Sequence, residues 1–139
     1  MIEYAICTKL AATAAVTAFI GTTPDRIHAM KLPQGAQLPA ITYQVVSDVP
    51  EYDMEGEVGV STMRVQIECH ALASRRSPDP YEAARQLGEA VSTALSGFTG
   101  AIGSDTVQSC FRLNSRVLHD DGTGIYRQQM DFSVGYTTA

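Results

Sequence analysis

The sequence predicts an α+β fold, a two-layer sandwich in which one antiparallel sheet carries two helices packed on one face. Three observations predict it. Several runs alternate apolar and polar residues, so each reads as a strand with a single apolar side. Two segments repeat apolar residues at helical spacing, so each reads as a helix with a single apolar stripe. The last two alternating runs are joined by Asp120-Asp121-Gly122-Thr123-Gly124, turn chemistry that suits an antiparallel hairpin. One-sided strands and one-sided helices bury most apolar surface when both helices lie on the apolar side of the sheet. A chain of 139 residues is the size of one such unit, so residues 1–139 are expected to form a single domain.

The first helix is expected over Ile2 to about Ile20. Ile2, Ile6 and Leu10 recur at four-residue spacing, and Val16, Phe19 and Ile20 continue an apolar face that drifts. Gly21 ends it, and Thr22-Thr23-Pro24-Asp25 is turn chemistry. Arg26 to Leu32 reads as a short strand. Pro33 and Pro39 then hold their preceding residues extended, Gly35 permits a turn between them, and Pro39, lacking an N–H, suits the first position of a strand. Ile41, Tyr43 and Val45 alternate with Thr42 and Gln44. Asp48 to Gly59 interrupts the pattern with five acids and no base, and reads as an exposed loop or hairpin tip. From Thr62 the alternation resumes, with Met63, Val65, Ile67 and Cys69 on one side and Arg64, Gln66, Glu68 and His70 on the other.

Ser77-Pro78-Asp79-Pro80 stops that strand and starts the second helix, expected near residues 79–96. Asp79 is a good N-cap, Pro80 occupies the first helical position, and Glu82 completes a capping box. Ala84, Leu87, Val91, Ala94, Leu95 and Phe98 follow the helical period, and Gly97 is placed to end it. Gly97 to Asp105 reads as a loop. Phe111, Leu113, Ser115 and Val117 then alternate with Arg112, Asn114 and Arg116, and Met130, Phe132, Val134 and Tyr136 with Gln129, Asp131, Ser133 and Gly135. Leu87 and Val91 are expected to pack against Val65, Ile67, Phe111 and Phe132.

Composition excludes several function classes. Net charge is −5, and the basic residues are scattered, with Arg75-Arg76 the only adjacent pair. A protein that grips nucleic acid by its phosphates needs clustered Lys and Arg, and no aromatics interleave with basic residues to make a stacking platform. No apolar run approaches the roughly 18 residues of a membrane span, and the N-terminus lacks the basic and apolar regions of a signal peptide. Three widely spaced cysteines, Cys7, Cys69 and Cys110, without C-x-x-C, argue for a reducing compartment rather than a disulfide framework.

The search for chemistry yields no catalytic, cofactor-binding or metal-binding residues. His28, His70 and His119 form no H-x-x-x-H, and Cys69 and His70 point to opposite faces of one strand. Glycines 97, 100 and 103 show no Walker pattern. Asp120 to Gly124 lacks the later Glu of a calcium loop. No nucleophile-elbow motif supports a Ser-His-Asp site. Asp48, Asp53 and Glu55 could together hold a cation, but a solvated charged tip is the simpler reading, since such acids also keep strand edges from aggregating.

The order of the pieces carries a resemblance. Arg26-Ile27 leads to Leu32-Pro33-Gln34-Gly35 and then to Leu38-Pro39-Ala40-Ile41-Thr42-Tyr43. Arg64-Val65-Gln66-Ile67 precedes the helix DPYEAARQLGEAVSTALSGF, and the chain closes on Gly124-Ile125-Tyr126-Arg127. Over nearly its whole length the chain resembles the tail-completion, or tail-terminator (head-to-tail joining), proteins of long-tailed bacteriophages. The resemblance implies a structural protein with no catalytic residues and no cofactor. It implies a homo-oligomeric ring, usually a hexamer, at the head-proximal end of the tail within the virion, assembled in the bacterial host cytoplasm. The ring would end polymerisation of the tail tube protein, present a surface to the head connector, and let genome DNA pass through its lumen, with no membrane involved. The alternatives are a neck or head-completion protein on the connector side, and a small α+β enzyme or ligand-binding domain, which a deep pocket with convergent polar groups would support.

Candidate interface residues follow from charge. Asp48, Glu51, Asp53, Glu55 and Glu57 lie in the acidic segment, and Arg64, Arg112, Arg116 and Arg127 are expected on the polar sheet face, where they could meet those acids from a neighbouring subunit. The acidic segment and Ala73–Pro78 match the family least well, and contacts peculiar to this tail or connector are expected there.

Overall fold

The computed structural model describes residues 2–21, 26–72 and 79–138; the expected turn Thr22–Asp25 and the connector Ala73–Pro78 lie outside them. Among the described residues the elements run α1 (Ile2–Ala11), α2 (Ala14–Ile20), β1 (Ile27–Ala29), β2 (Ala40–Asp53), β3 (Gly56–Ala71), α3 (Pro80–Leu95), β4 (Gly100–Ile102), β5 (Asp105–Asp120) and β6 (Ile125–Thr138). The strands form one six-stranded sheet in the order β1-β2-β3-β6-β5-β4. The fold is mixed α+β, with three helices where two were expected. The sheet is antiparallel except at one edge, where β1 pairs with β2 in parallel.

The extra helix comes from the drift in the first apolar stripe. On a straight helix Val16 would lie about 120° round the cylinder from Leu10. The chain breaks instead: α1 and α2 are bent by 83°, and Ile2, Ile6, Leu10, Val16 and Ile20 are all buried. Thr13 sits at the break in extended conformation. Its N–H closes a tight turn on the Leu10 carbonyl at 3.2 Å, and its hydroxyl donates to the Lys9 carbonyl at 2.8 Å. No single described helix is long and apolar enough to cross a membrane.

The second expected helix is α3, and its cap, its proline start and its glycine end act as read, while the Glu82 carboxylate, expected to complete a capping box, accepts from Gln86 Nε2 at 3.0 Å. The Asp79 carboxylate accepts from the N–H groups of Tyr81 and Glu82, at 3.0 and 3.2 Å, with Pro80 at the first turn. Gly97 follows the last turn at φ +75, a conformation open to glycine at little cost, and its N–H donates to the Cys110 carbonyl at 2.7 Å.

Residues paired across an antiparallel ladder share a face, so the register fixes the layers. Met63, Val65 and Ile67 of β3 pair with Val134, Phe132 and Met130 of β6. With buried residues from each of the three helices they form the main core, to which Leu87 and Val91 belong, while Ala83 and Ala84 of α3 pack with Ala71 in a smaller cluster. Each large side chain removed from water there contributes about 1.5–3 kcal/mol.

β5 departs from the expected faces. Bulges between Val107 and Ser109 and between Arg112 and Asn114 each insert a residue and reset the alternation. Ser115 and Val117 pair with Met130 and Gln128 on the helix side, as the alternation predicts. Phe111 pairs with Ser133 on the opposite side and is 52% exposed, so it is not a core partner of Leu87. Arg112 pairs with Phe132 instead, which puts it on the helix side rather than on the polar face. The Gly97–Asp105 stretch also differs: it contains β4, a short strand on the outside of β5.

Candidate assembly surfaces

The side of the sheet away from the helices carries a connected polar layer. Arg64 donates from Nε and Nη2 to Asp131 Oδ2 at 3.2 and 2.5 Å, and Gln66 donates to Asp131 Oδ1 at 3.3 Å. Arg127 Nη1 donates to Glu68 Oε2 at 3.2 Å and Gln129 Nε2 to Glu68 Oε1 at 2.7 Å, while Arg116 Nε donates to Gln129 Oε1 at 2.5 Å. Asp131 and Gln129 are buried, which burial of polar groups permits only with partners. Two candidate arginines, Arg64 and Arg127, are therefore engaged with carboxylates of their own chain. Arg116 and Arg112 differ: each bonds a neutral acceptor, Gln129 and the Ser92 hydroxyl (3.4 Å) respectively.

At the end of this layer His70 is buried, with Nε2 2.9 Å from Thr42 Oγ1. Burial lowers its pKa to about 4 against the pull of Glu68, with Arg127 and His28 adding to the drop. The imidazole is neutral at pH 7. An open cavity of about 350 Å3 lies beside it, lined by Lys31, Thr42, Glu68, His70, Ile125 and Arg127. Burial pushes the Cys7 and Cys110 thiols up to about 11 and Cys69 higher still, so none is a thiolate nucleophile at neutral pH. Among the described residues no three His, Cys, Asp or Glu side chains gather as metal ligands.

Of the two readings of the acidic segment, loop or hairpin tip, the second holds: the segment is the end of the β2–β3 hairpin and extends as a two-stranded arm. β2 runs on to Asp53 and β3 starts at Gly56, while the last pair between β3 and β6 is Val60 with Thr137. Beyond that level only β2 and β3 continue. The five acids have separate places. Asp48 accepts from the Tyr136 hydroxyl at 2.7 Å at the arm's base, Asp53 accepts from the Glu55 N–H at 2.8 Å in the turn, and Glu57 accepts from Tyr52 at 3.2 Å. Glu51 and Glu55 are exposed. No shared cation position arises from Asp48, Asp53 and Glu55, since the first two are spent at opposite ends of the arm. The sequence reading missed the arm's apolar content: Val49, Tyr52 and Met54 are 60, 67 and 104% exposed. The signal was present, since these residues interrupt the acids in Val49-Pro50-Glu51-Tyr52-Asp53-Met54.

Both long outer strands are only partly covered. β1 pairs with β2 at Ile41–Tyr43, and β4 with β5 at Asp105–Val107. Among the described residues, Gln44–Asp53 of β2 and Phe111–Asp120 of β5 form the outer edges of the sheet.

Comparison with known proteins adds a family. The model of the family described as tail completion protein gp17 matches residues 4–137. No curated protein matches in sequence. Among solved structures, one chain of the virion of a native gene transfer agent (GTA) particle is similar in fold, with a TM-score of 0.67 over 95% of this chain and 91% of that one, at 16% identity.

Proposed function

We propose a function from one premise: the chain belongs to the tail completion protein gp17 family. Its subunits close a ring, expected to be a hexamer, at the head-proximal end of a phage-type tail. The ring ends polymerisation of the tail tube protein and offers its other side to the head connector, with genome DNA in transit through the lumen. The observation that carries this reading is the family match across residues 4–137.

Three features of the chain support it. The polar face is tied up in internal hydrogen bonds rather than arranged around a nucleophile, and the thiols are held protonated, which suits a structural, non-enzymatic part. The arm and the two partly covered sheet edges supply surfaces for neighbours, with Asp48, Glu51, Asp53, Glu55, Glu57 and the four candidate arginines as its candidate contacts. The net charge of −5 disfavours adhesion of passing DNA phosphates.

The test is electron microscopy of the protein mixed with purified tail tubes and, separately, with purified connector complexes. Rings seated on tube ends are expected, and tubes that keep elongating in its presence would overturn the role. The variant with Ser at positions 51, 53, 55 and 57 is expected to keep its circular dichroism spectrum and to cap tubes less well. Equal capping would leave the arm as a solvated tip.

A further inference from the structure

We infer that the outer edge of β2 in one copy docks against the outer edge of β5 in a second copy of this chain. The inference rests on the ring reading above and names the contact that would close the ring.

Charge selects the pair. From Gln44 to Asp53 the β2 edge holds Asp48, Glu51 and Asp53 and no base, while from Phe111 to Asp120 the β5 edge holds Arg112 and Arg116 and a single acid, Asp120, at its far end. Of the four candidate arginines these two are the ones not paired to a carboxylate in the described structure. Two β2 edges would bring acids together, and two β5 edges would bring guanidinium groups together. Only the unlike pair is complementary, so the contact is head to tail, the arrangement that generates rings.

Topology allows it. β2, β3, β6 and β5 are linked by three antiparallel pairings, so β2 and β5 run in opposite directions within one sheet. A neighbour related by rotation about an axis inclined to the strands keeps its β5 running against β2, and the incline supplies the slide the contact needs, since across the ladder Arg112 is level with Val45 and Arg116 with Thr42, short of Glu51 and Asp53. Both edges also expose apolar side chains that the contact would cover, Val49 and Tyr52 on β2 and Phe111 and Leu113 on β5. Pro50 and the bulges at Val45/Ser47 and Pro50/Tyr52 interrupt β2, devices that prevent open-ended strand addition. Side chains, rather than a long shared ladder, therefore carry the contact.

The experiment exchanges the charges. One variant carries Glu51→Lys and Asp53→Lys, the other Arg112→Glu and Arg116→Glu, each checked by circular dichroism. Glu51→Lys alone keeps the Asp53 turn and serves if the first variant fails to fold. Assembly is followed by sedimentation velocity over a concentration series. Each variant alone is expected to need about tenfold more protein than the parent to assemble, or more. An equal mixture is expected to recover, because every β2 edge then finds a β5 edge of opposite sign in alternating order. Variants that assemble like the parent, or a mixture that does not recover, overturn the contact while the ring stands. A parent that stays monomeric in solution and on tube ends overturns the ring and the contact with it.

Discussion

Replacing Gly88 by alanine should destabilise the protein, although the substitution lies inside a helix, where it normally helps. The usual gain is about 1 kcal/mol, because alanine holds helical backbone better than glycine. Gly88 faces β6, however, and a Cβ there would fall 2.4 Å from Gln128 Cγ and 3.1 Å from Gln128 Cβ. Gln128 is 3% exposed and fixed at both ends. Its Oε1 accepts from Arg85 Nη1 at 3.2 Å, and its Nε2 donates to Ser115 Oγ. Making room costs about 1–3 kcal/mol of overpacking, and a displaced amide forfeits about 1 kcal/mol of hydrogen bonding. The net expectation is a loss of about 1–3 kcal/mol. Urea denaturation followed by circular dichroism measures it as a lower midpoint with an unchanged slope. In a Gln128→Ala background the 2.4 Å contact is gone and only the 3.1 Å approach to the remaining Cβ is left, so Gly88→Ala should be neutral or stabilise by up to about 1 kcal/mol, which makes the coupling in the double-mutant cycle about 1–4 kcal/mol. If Gly88→Ala stabilises the parent, α3 does not approach β6 as closely as described.

Two further predictions use the same assay. Leu87→Ala, at a site with no exposure, should cost about 2–5 kcal/mol, whereas Phe111→Ala, on the outer side of the β5 bulge, should cost under about 1 kcal/mol; the reverse order would mean that the β5 faces are misassigned. His70 has a folded pKa of about 4 against 6.5 unfolded, so its contribution is fully present above pH 6.5 and is lost as pH falls toward 4. At pH 5 the parent should have lost about 2 kcal/mol more than His70→Gln, relative to pH 7, and equal losses would show that the imidazole is not held neutral.

Periodicity alone located the long strands and α3, because one-sided burial writes itself into the sequence at a fixed spacing. It failed where a local irregularity shifts that spacing. The bulge at Arg112/Asn114 leaves Ser115 and Val117 on the predicted side but turns Phe111 outward and Arg112 toward α3, and a strict alternation of two has no way to register an inserted residue. The break at Thr13 was legible as a drifting stripe, but a drift does not say whether the helix twists or breaks. Pairing was the least legible property of the candidate surface. Arg64 and Arg127 look like free cations in sequence, and their partners Asp131 and Glu68 reach them only through the β3–β6 junction. Gly88 did carry a trace of its role, since it stands on the buried side of α3 among Ala84, Leu87 and Val91, where a missing side chain marks a close approach.

The strand order has a consequence for how the chain reaches this state. β2–β3 and β5–β6 are each hairpins of neighbours in sequence, but the sheet becomes whole only where β3 meets β6, with Ile67 beside Met130. During synthesis the first hairpin and α3 are complete well before β6 emerges. Until then β3 keeps a bare hydrogen-bonding edge along the middle of the future core, and α3 has only half of its floor. Closing that seam also brings Asp131 to Arg64 and Glu68 to Arg127. This one seam thus completes the apolar layer and neutralises the charges on its far side, and a chain without it exposes a strand edge open to pairing with its own kind.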